Sequence, residues 1–244
     1  GHAPRLIWGQ DRIPFVEAAL AGWDFEGPPP GGARPYGRDV TPFVSPHSLE
    51  CYFDIASPYA YLALTQLEAL AKTTGTQPVM KPILLGGLFR EIGQADVPLF
   101  RFSPAKQRYV GAEIHHFARW FGVPFAFATK FPQRSIAAQR LIHVARAEER
   151  LPLALALGRA MWAEQRDIED LATLRAVVAE CGLPASYPDR IADAEIKAAL
   201  IAAGAEAKAR GIFGVPTFII GGRHLVWGVD RLDLVTRFAA GWHA

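Results

Sequence analysis

Two short apolar segments in the first part of the chain have the pattern of buried β-strands. Residues 49–55 form a continuous run of β-favouring residues, and residues 77–84 form a second run. Between them, Ser57-Pro58 predicts a helix start, since serine suits the cap and proline suits the first helical position. Apolar residues at helical spacing continue towards Gly75 and predict a single helix. Strand, helix and strand of these lengths predict a parallel βαβ unit.

Strand character returns near the end of the chain. Residues 216–220 favour a strand, and residues 223–227 follow after a two-residue glycine turn, which predicts a β-hairpin. A final helix is expected over about 230–240. Because proline cannot donate to a sheet ladder, Pro216 marks the start of its strand or a special turn, with either a trans or a cis peptide bond.

The segment between these two parts has helical periodicity without a strand signal of comparable strength. Helices are expected at 103–122, 135–149, 152–165, 168–181 and 193–210. The element order is therefore β-α-β, a helical block and β-β-α. We predict an α/β domain formed by residues 48–87 and 211–244, with a helical domain of residues 88–210 inserted between its halves.

Residues 1–47 differ from the rest of the chain. They contain a Pro/Gly-rich stretch at 27–32 and one short helical pattern around 14–23, which indicates an extension joined by a linker. Three large apolar side chains suggest that the extension packs against its own domain or against a second subunit: Trp8, Phe15 and Trp23. The sequence leaves both alternatives open.

Composition and charge narrow the classes of function. Half of the 244 residues are hydrophobic and the formal net charge is +2, which is typical of a soluble globular protein. The arginines form no basic block and no apolar run reaches membrane-spanning length, so neither a nucleic acid nor a membrane is an expected partner. Cys51 and Cys181 form no CxxC or zinc pattern, although a structural disulfide stays open. His115-His116 has no accompanying ligand cluster, and no metal is expected.

Two local signals point to a site. Ser57 places a hydroxyl at a helix N-terminus, where free N–H groups favour an anion such as a thiolate, although a lone serine there is usually an ordinary cap. Pro216 is the second signal. With the element order, these residues resemble the thioredoxin superfamily and its DsbA-like branch, in which the active-site helix faces a cis-proline loop. Since residues 57–61 contain no cysteine, an oxidoreductase would lack its nucleophile.

A closer resemblance covers about residues 49–240. Five motifs occur in the order found in the family of 2-hydroxychromene-2-carboxylate isomerases and kappa-class glutathione transferases. They are FD…SPYAYL from Phe53, KP…LGGLF from Lys81, SPAK from Ser103, GIFGVPTF from Gly211 and WGVDRL from Trp227. The resemblance implies a thioredoxin-like fold and glutathione as the cofactor.

The resemblance also implies how glutathione is held. Ser57 would hydrogen-bond its sulfur and stabilise the thiolate, and the backbone of Val215, before a cis Pro216, would pair with its cysteinyl part. Asp230 matches the position that holds the γ-glutamyl amine.

Three further positions follow from the same resemblance. Val229 replaces a polar residue and keeps a backbone N–H for the γ-glutamyl carboxylate. Lys106 matches a lysine near the glycyl carboxylate, and Gln94 lies where relatives often have asparagine. Gln94 is one methylene longer, and its connection to Lys106 looks extended.

The function implied is a glutathione-dependent isomerase that acts on an aromatic acid like 2-hydroxychromene-2-carboxylate by reversible thiolate addition. The alternatives are a kappa-like transferase that forms a stable conjugate and a non-catalytic thioredoxin-like module that binds a protein or peptide. Phe89, Trp120 and Trp162 are candidates either for an acceptor pocket or for the core. We expect a cytoplasmic homodimer whose partners are glutathione and a small aromatic substrate.

Overall fold

The computed structural model, which describes residues 5–30 and 41–242, has a four-stranded mixed sheet at its centre. Its strands are β1 (Leu49–Phe53), β2 (Val79–Pro82), β3 (Thr217–Ile220) and β4 (His224–Trp227), in the order β2-β1-β3-β4. β1 is parallel to β2 and antiparallel to β3, and β3 is antiparallel to β4. Cys51 of β1 is paired with both Met80 and Phe218, and all three side chains are buried.

Ten α-helices occur in the described part of the chain. They are α1 (Ile13–Leu20), α2 (Pro58–Leu64), α3 (Leu67–Thr74), α4 (Leu85–Glu91), α5 (Pro104–Phe121), α6 (Ile136–Val144), α7 (Arg150–Trp162), α8 (Leu171–Glu180), α9 (Ala194–Ala209) and α10 (Leu232–Ala239). Helix α10 packs against β3, β4 and α3, while α6 and α9 contact β2. The predicted order, with helices between β2 and β3, is confirmed, and so are the parallel βαβ unit and the hairpin.

The single helix predicted after Ser57 is wrong, because the chain forms two helices there. Thr65 donates its hydroxyl hydrogen to the Leu62 carbonyl at 2.6 Å, and the Gln66 N–H turns to the Ala63 carbonyl at 2.9 Å. A hydroxyl that bonds to a carbonyl of its own helix competes with the next backbone N–H. Helix α2 therefore ends at Leu64.

The boundaries of two other predicted helices also differ. The last helix begins at Leu232, so Asp230 lies in the preceding 3-10 turn, Val229–Arg231, and does not cap α10. The helix predicted over 135–149 ends at Val144. The predicted domain boundary at residue 87 falls inside α4.

A charged network ties the helical segment to the sheet. The buried Tyr52 of β1 donates its hydroxyl hydrogen to Glu206 of α9 at 2.7 Å and accepts a hydrogen bond from Arg210 at 2.8 Å. Lys81 of β2 pairs with Glu206 at 3.1 Å, and Arg210 also contacts Glu50. Burial and the Glu206 carboxylate raise the pKa of Tyr52 above its ordinary value, so the phenol stays a donor.

The extension packs against its own chain. Phe15 of α1 lies 4.9 Å from Phe117 and 5.1 Å from Trp120 of α5, between ring centroids, and Trp23 lies 5.3 Å from Trp120. Phe15 and Trp23 are buried, as expected of anchors, whereas the Trp8 side chain is 65% exposed and its backbone contacts the Tyr109 hydroxyl of α5. The part of the predicted linker at 31–32 lies outside the described residues. Within the described ranges, no helix combines the length and the apolar character needed to cross a membrane.

Candidate functional site

Ser57 lies at the turn between β1 and α2. It has an extended backbone conformation, and its Oγ accepts a hydrogen bond from the Ala60 N–H at 3.3 Å. The residue is 7% exposed. A hydroxyl has one hydrogen to donate and two lone pairs, so the capping bond leaves the hydrogen of Ser57 for another acceptor.

The buried carboxyl group of Asp54 holds this turn in place. It accepts hydrogen bonds from the backbone N–H groups of Ala56 at 3.0 Å and Leu85 at 2.8 Å. Burial raises the pKa of Asp54 above its ordinary value, and the two backbone donors together with the nearby Ser135 hydroxyl lower it in part. Sequence reasoning included Asp54 only as part of a motif. An acidic residue directly after an apolar strand was the signal for its role.

The three aromatic candidates for an acceptor pocket belong to the core. Trp162 is fully buried and donates its indole N–H to the Ile55 carbonyl at 2.8 Å, which fixes the same turn from α7. Trp120 is buried under the extension, and Phe89 is buried at α4. The core alternative for these residues is therefore correct.

The loop before β3 reaches the same end of the sheet. The Val215–Pro216 peptide bond is cis, and the antiparallel pairing of Thr217 with Tyr52 brings Pro216 to the end of β1 that leads into the Ser57 turn. Thr217 closes the loop by donating its hydroxyl hydrogen to the Gly214 carbonyl at 2.7 Å. Among the described residues, no hydrogen-bond partner is found for the backbone N–H or C=O of Val215.

A third segment, the turn that contains Asp230, joins these two. The Gly228 N–H donates to the Pro216 carbonyl at 3.0 Å, and the Val229–Arg231 turn packs against α2. Gly228 has a φ of 110°, and a Cβ there would lie 2.2 Å from Asp230 Oδ1. Only glycine fits at this position. The structure therefore brings Ser57, Pro216, Val229 and Asp230 together at one end of the sheet.

The Asp230 carboxylate has a partner from the extension. Arg12 donates from Nη1 to Asp230 Oδ2 at 2.6 Å and from Nε to Glu113 Oε1 at 2.9 Å, and its guanidinium lies over the Phe117 ring. Tyr59 of α2 donates its hydroxyl hydrogen to Glu113 Oε2 at 2.7 Å. Burial lowers the pKa of Arg12, but the two carboxylates outweigh it and the pKa is raised. Burial and Glu113 likewise raise the pKa of Tyr59.

Lys106 and Gln94 lie further out. Lys106 is exposed in the first turn of α5, with its ammonium 4.0 Å from the centroid of Phe102 and 5.9 Å from that of Trp8. Gln94 is exposed after α4, and its backbone N–H donates to the Phe89 carbonyl at 2.8 Å. No contact in the described residues joins the Gln94 side chain to the other predicted site residues.

Sequence reasoning missed Arg12, Tyr59 and Glu113 as site residues. Glu113 shares a helix face with Phe117 and Trp120, and a carboxylate on an apolar face was a signal that could have identified it. Arg12 had no local signal, because its partner Asp230 is 218 positions away in the chain.

The described residues hold neither a grouping of His, Cys, Asp and Glu that would bind a metal ion nor a disulfide. Cys51 is buried in β1 and Cys181 is half-buried at the end of α8. Burial raises the pKa of both thiols, which makes them poor nucleophiles.

The sheet, the cis-proline loop and the serine at the first strand-to-helix turn define a protein of the thioredoxin fold without an active-site cysteine. The chain belongs to the family described as the DSBA-like thioredoxin domain, whose model matches residues 48–239. The fold expected from the sequence is thereby confirmed.

Curated relatives agree with the resemblance to isomerases and kappa transferases. The 2-hydroxychromene-2-carboxylate isomerase of Sphingobium xenophagum is 25% identical over 198 residues, which cover 78% of this chain and 97% of the relative. Glutathione S-transferase kappa 1 of Homo sapiens is 23% identical over 205 residues, covering 78% and 89% respectively. A solved 2-hydroxychromene-2-carboxylate isomerase structure matches with a TM-score of 0.69 at 23% identity, over 80% of this chain and 99% of that chain.

Proposed function

We propose that the protein binds glutathione and is an isomerase of an aromatic acid like 2-hydroxychromene-2-carboxylate. The observation that carries this proposal is the meeting of Ser57, the cis Val215–Pro216 bond and Asp230 at one end of a thioredoxin-like sheet that has no cysteine at its active-site turn. Relatives that are named an isomerase and glutathione transferases support a glutathione-related enzyme.

The residues at this end of the sheet fit a γ-glutamyl tripeptide. Val215, whose N–H and C=O have no partner among the described residues, offers both to an extended peptide. The Asp230 carboxylate, which here pairs with Arg12, suits an ammonium group. Lys106 lies seven residues before Glu113 on α5, which is about 10 Å at 1.5 Å per residue. An extended tripeptide spans roughly the same length. We propose that Lys106 binds the glycyl carboxylate while the amine lies near Asp230.

Each residue then has a distinct task. Ser57 would donate its free hydrogen to the sulfur and favour the charged form, with Asp54 holding the turn in position. The Val229 N–H would bind the γ-glutamyl carboxylate. Glutathione would supply the sulfur nucleophile, which adds to the conjugated substrate and is eliminated again, so that the geometry about a former double bond can change.

A kappa-like transferase is the second candidate, and the similarity to glutathione S-transferase kappa 1 favours it. A transferase would use the same site, but its product would keep the glutathione. The occupation of Asp230 by the extension favours a third candidate, a non-catalytic module. Gln94 as a ligand contact, the aromatic substrate and the homodimer stay predictions.

Calorimetry with glutathione, followed by product analysis, tests the proposal. The matched control ligand is γ-glutamyl-alanyl-glycine, which has the same backbone and charges but no sulfur. We expect both peptides to bind and only glutathione to support isomerisation of 2-hydroxychromene-2-carboxylate, at much less than one glutathione per turnover. Stoichiometric consumption would indicate the transferase, and binding without any turnover would indicate the non-catalytic module. No binding of glutathione to either the parent chain or an Arg12→Gln variant would refute the glutathione site itself.

A further inference from the structure

The extension inserts a cation into the site. Arg12 lies between the carboxylates of Asp230 and Glu113, and the side chains of the three residues are only 8–13% exposed. The group has one positive and two negative charges, and Tyr59 donates to the second carboxylate. Burial makes such a pair costly to break, because each separated charge would then need a new partner.

The folded extension determines where Arg12 lies. On one side, Phe15 and Trp23 are buried against α5. On the other side, Trp8 exchanges hydrogen bonds with the Tyr109 hydroxyl, at 3.1 and 3.2 Å. Asp11, next to Arg12, pairs with Arg231 at 3.0 Å. Contacts on both sides of Arg12 therefore hold it at Asp230.

We propose that Arg12 is an internal competitor for the ammonium subsite at Asp230, so that the extension determines which thiol peptides bind and how tightly. This inference rests on the proposed function. A guanidinium and an ammonium group need the same negative oxygens. Asp230 Oδ2 is bonded to Arg12, and Oδ1 lies against Gly228. A γ-glutamyl amine that takes the position of Arg12 Nη1 at Oδ2 displaces this contact, while the Nε bond to Glu113 can persist.

If Arg12 instead bound the ligand directly, the Arg12→Gln substitution would change the glutathione affinity in the opposite direction. An Arg12 that bound a ligand carboxylate would strengthen glutathione binding, and its loss would weaken binding. The two carboxylates that surround the guanidinium argue against this role, because a third carboxylate would be repelled by both.

Calorimetry with two ligands and two variants tests the competition. The ligands are glutathione and glutaryl-cysteinyl-glycine, which lacks only the α-amine. The variants are Arg12→Gln and the control Glu26→Gln, which breaks an exposed ion pair between the same extension and Arg119 of α5. We expect Arg12→Gln to lower the Kd for glutathione by about tenfold, the effect of one charge-assisted hydrogen bond that the ligand no longer has to displace. We expect Arg12→Gln to leave the Kd for the glutaryl peptide unchanged, and Glu26→Gln to leave the Kd for glutathione unchanged.

The parent chain provides a second test that needs no variant. If Arg12 occupies the ammonium subsite, the parent chain should bind glutathione and the glutaryl peptide with Kd values that differ by less than about threefold. A parent that prefers glutathione by tenfold or more, or an Arg12→Gln variant that binds glutathione no more tightly, would overturn the competition while leaving the glutathione site intact. If neither protein binds glutathione, the proposed function fails and the competition fails with it.

Discussion

Replacing Ser57 with alanine removes one hydrogen bond that the structure shows and a second one that we propose, and the two losses can be measured separately. One is the cap, in which Oγ accepts from the Ala60 N–H at 3.3 Å, and its loss should lower the free energy of unfolding by about 1 kcal/mol. The other is the proposed bond to the glutathione sulfur. A hydrogen bond to a charged group contributes about 1.5–3 kcal/mol. Since 1.36 kcal/mol corresponds to one pKa unit, the pKa of the bound thiol should rise by about one to two units. Ser57 is 7% exposed, so water can replace little of this bond.

Ser103 provides a matched control for the cap. It precedes Pro104 as Ser57 precedes Pro58, and its Oγ accepts from the Lys106 N–H at 3.4 Å at the start of α5. Ser103→Ala should therefore lose a similar cap without affecting the sulfur. The assay is the ultraviolet absorbance of the thiolate during a pH titration of the saturated protein, with the γ-glutamyl-alanyl-glycine complex as the blank. Urea unfolding of each variant gives the cap contribution.

Equal pKa values for the bound thiol in the two variants would refute the bond from Ser57 to the sulfur. In that case the hydroxyl of Ser57 would be a cap and nothing more. A raised pKa in both variants would show that the loss of a cap, rather than a bond to sulfur, moves the titration.

Two other predictions concern how the site is supported. Gly158→Ala should destabilise the fold by about 1–3 kcal/mol, because the new Cβ would lie 2.6 Å from Tyr61 Cδ2 between α7 and α2. The higher helix propensity of alanine offsets up to about 1 kcal/mol of this loss. Gly204→Ala in α9 meets nothing within 4 Å and should be neutral or stabilising, so equal losses in urea unfolding would contradict the packing argument. His116 lies against Phe25 of the extension, and burial lowers its pKa from 6.5 to about 4. Because the pKa of His116 is lower in the folded than in the unfolded chain, the free energy of unfolding should fall as the pH drops from 6.5 to 4. His116→Phe should reduce this dependence of the unfolding free energy on pH. An unchanged dependence would assign the loss of stability to other groups.

The sequence alone determined the order of the elements and marked two local features of the proposed site. An apolar run predicts a buried strand wherever it lies, and a Ser-Pro pair predicts a helix start from its own backbone chemistry. Ser57 and Pro216 could be found in this way, because the features that mark them are local. A two-residue glycine turn similarly predicted the hairpin of β3 and β4.

The tertiary structure decided which charges meet at that site. Thr65 splits the first helix through one hydroxyl bond, a competition that helical periodicity does not register. Arg12 and Asp230 are 218 positions apart, and nothing near either residue indicates the other. Their contact depends on an extension anchored by Phe15 and on a turn fixed by Gly228. Local patterns determine which elements form and which faces are buried, but only the packing of distant segments determines which cation a carboxylate binds.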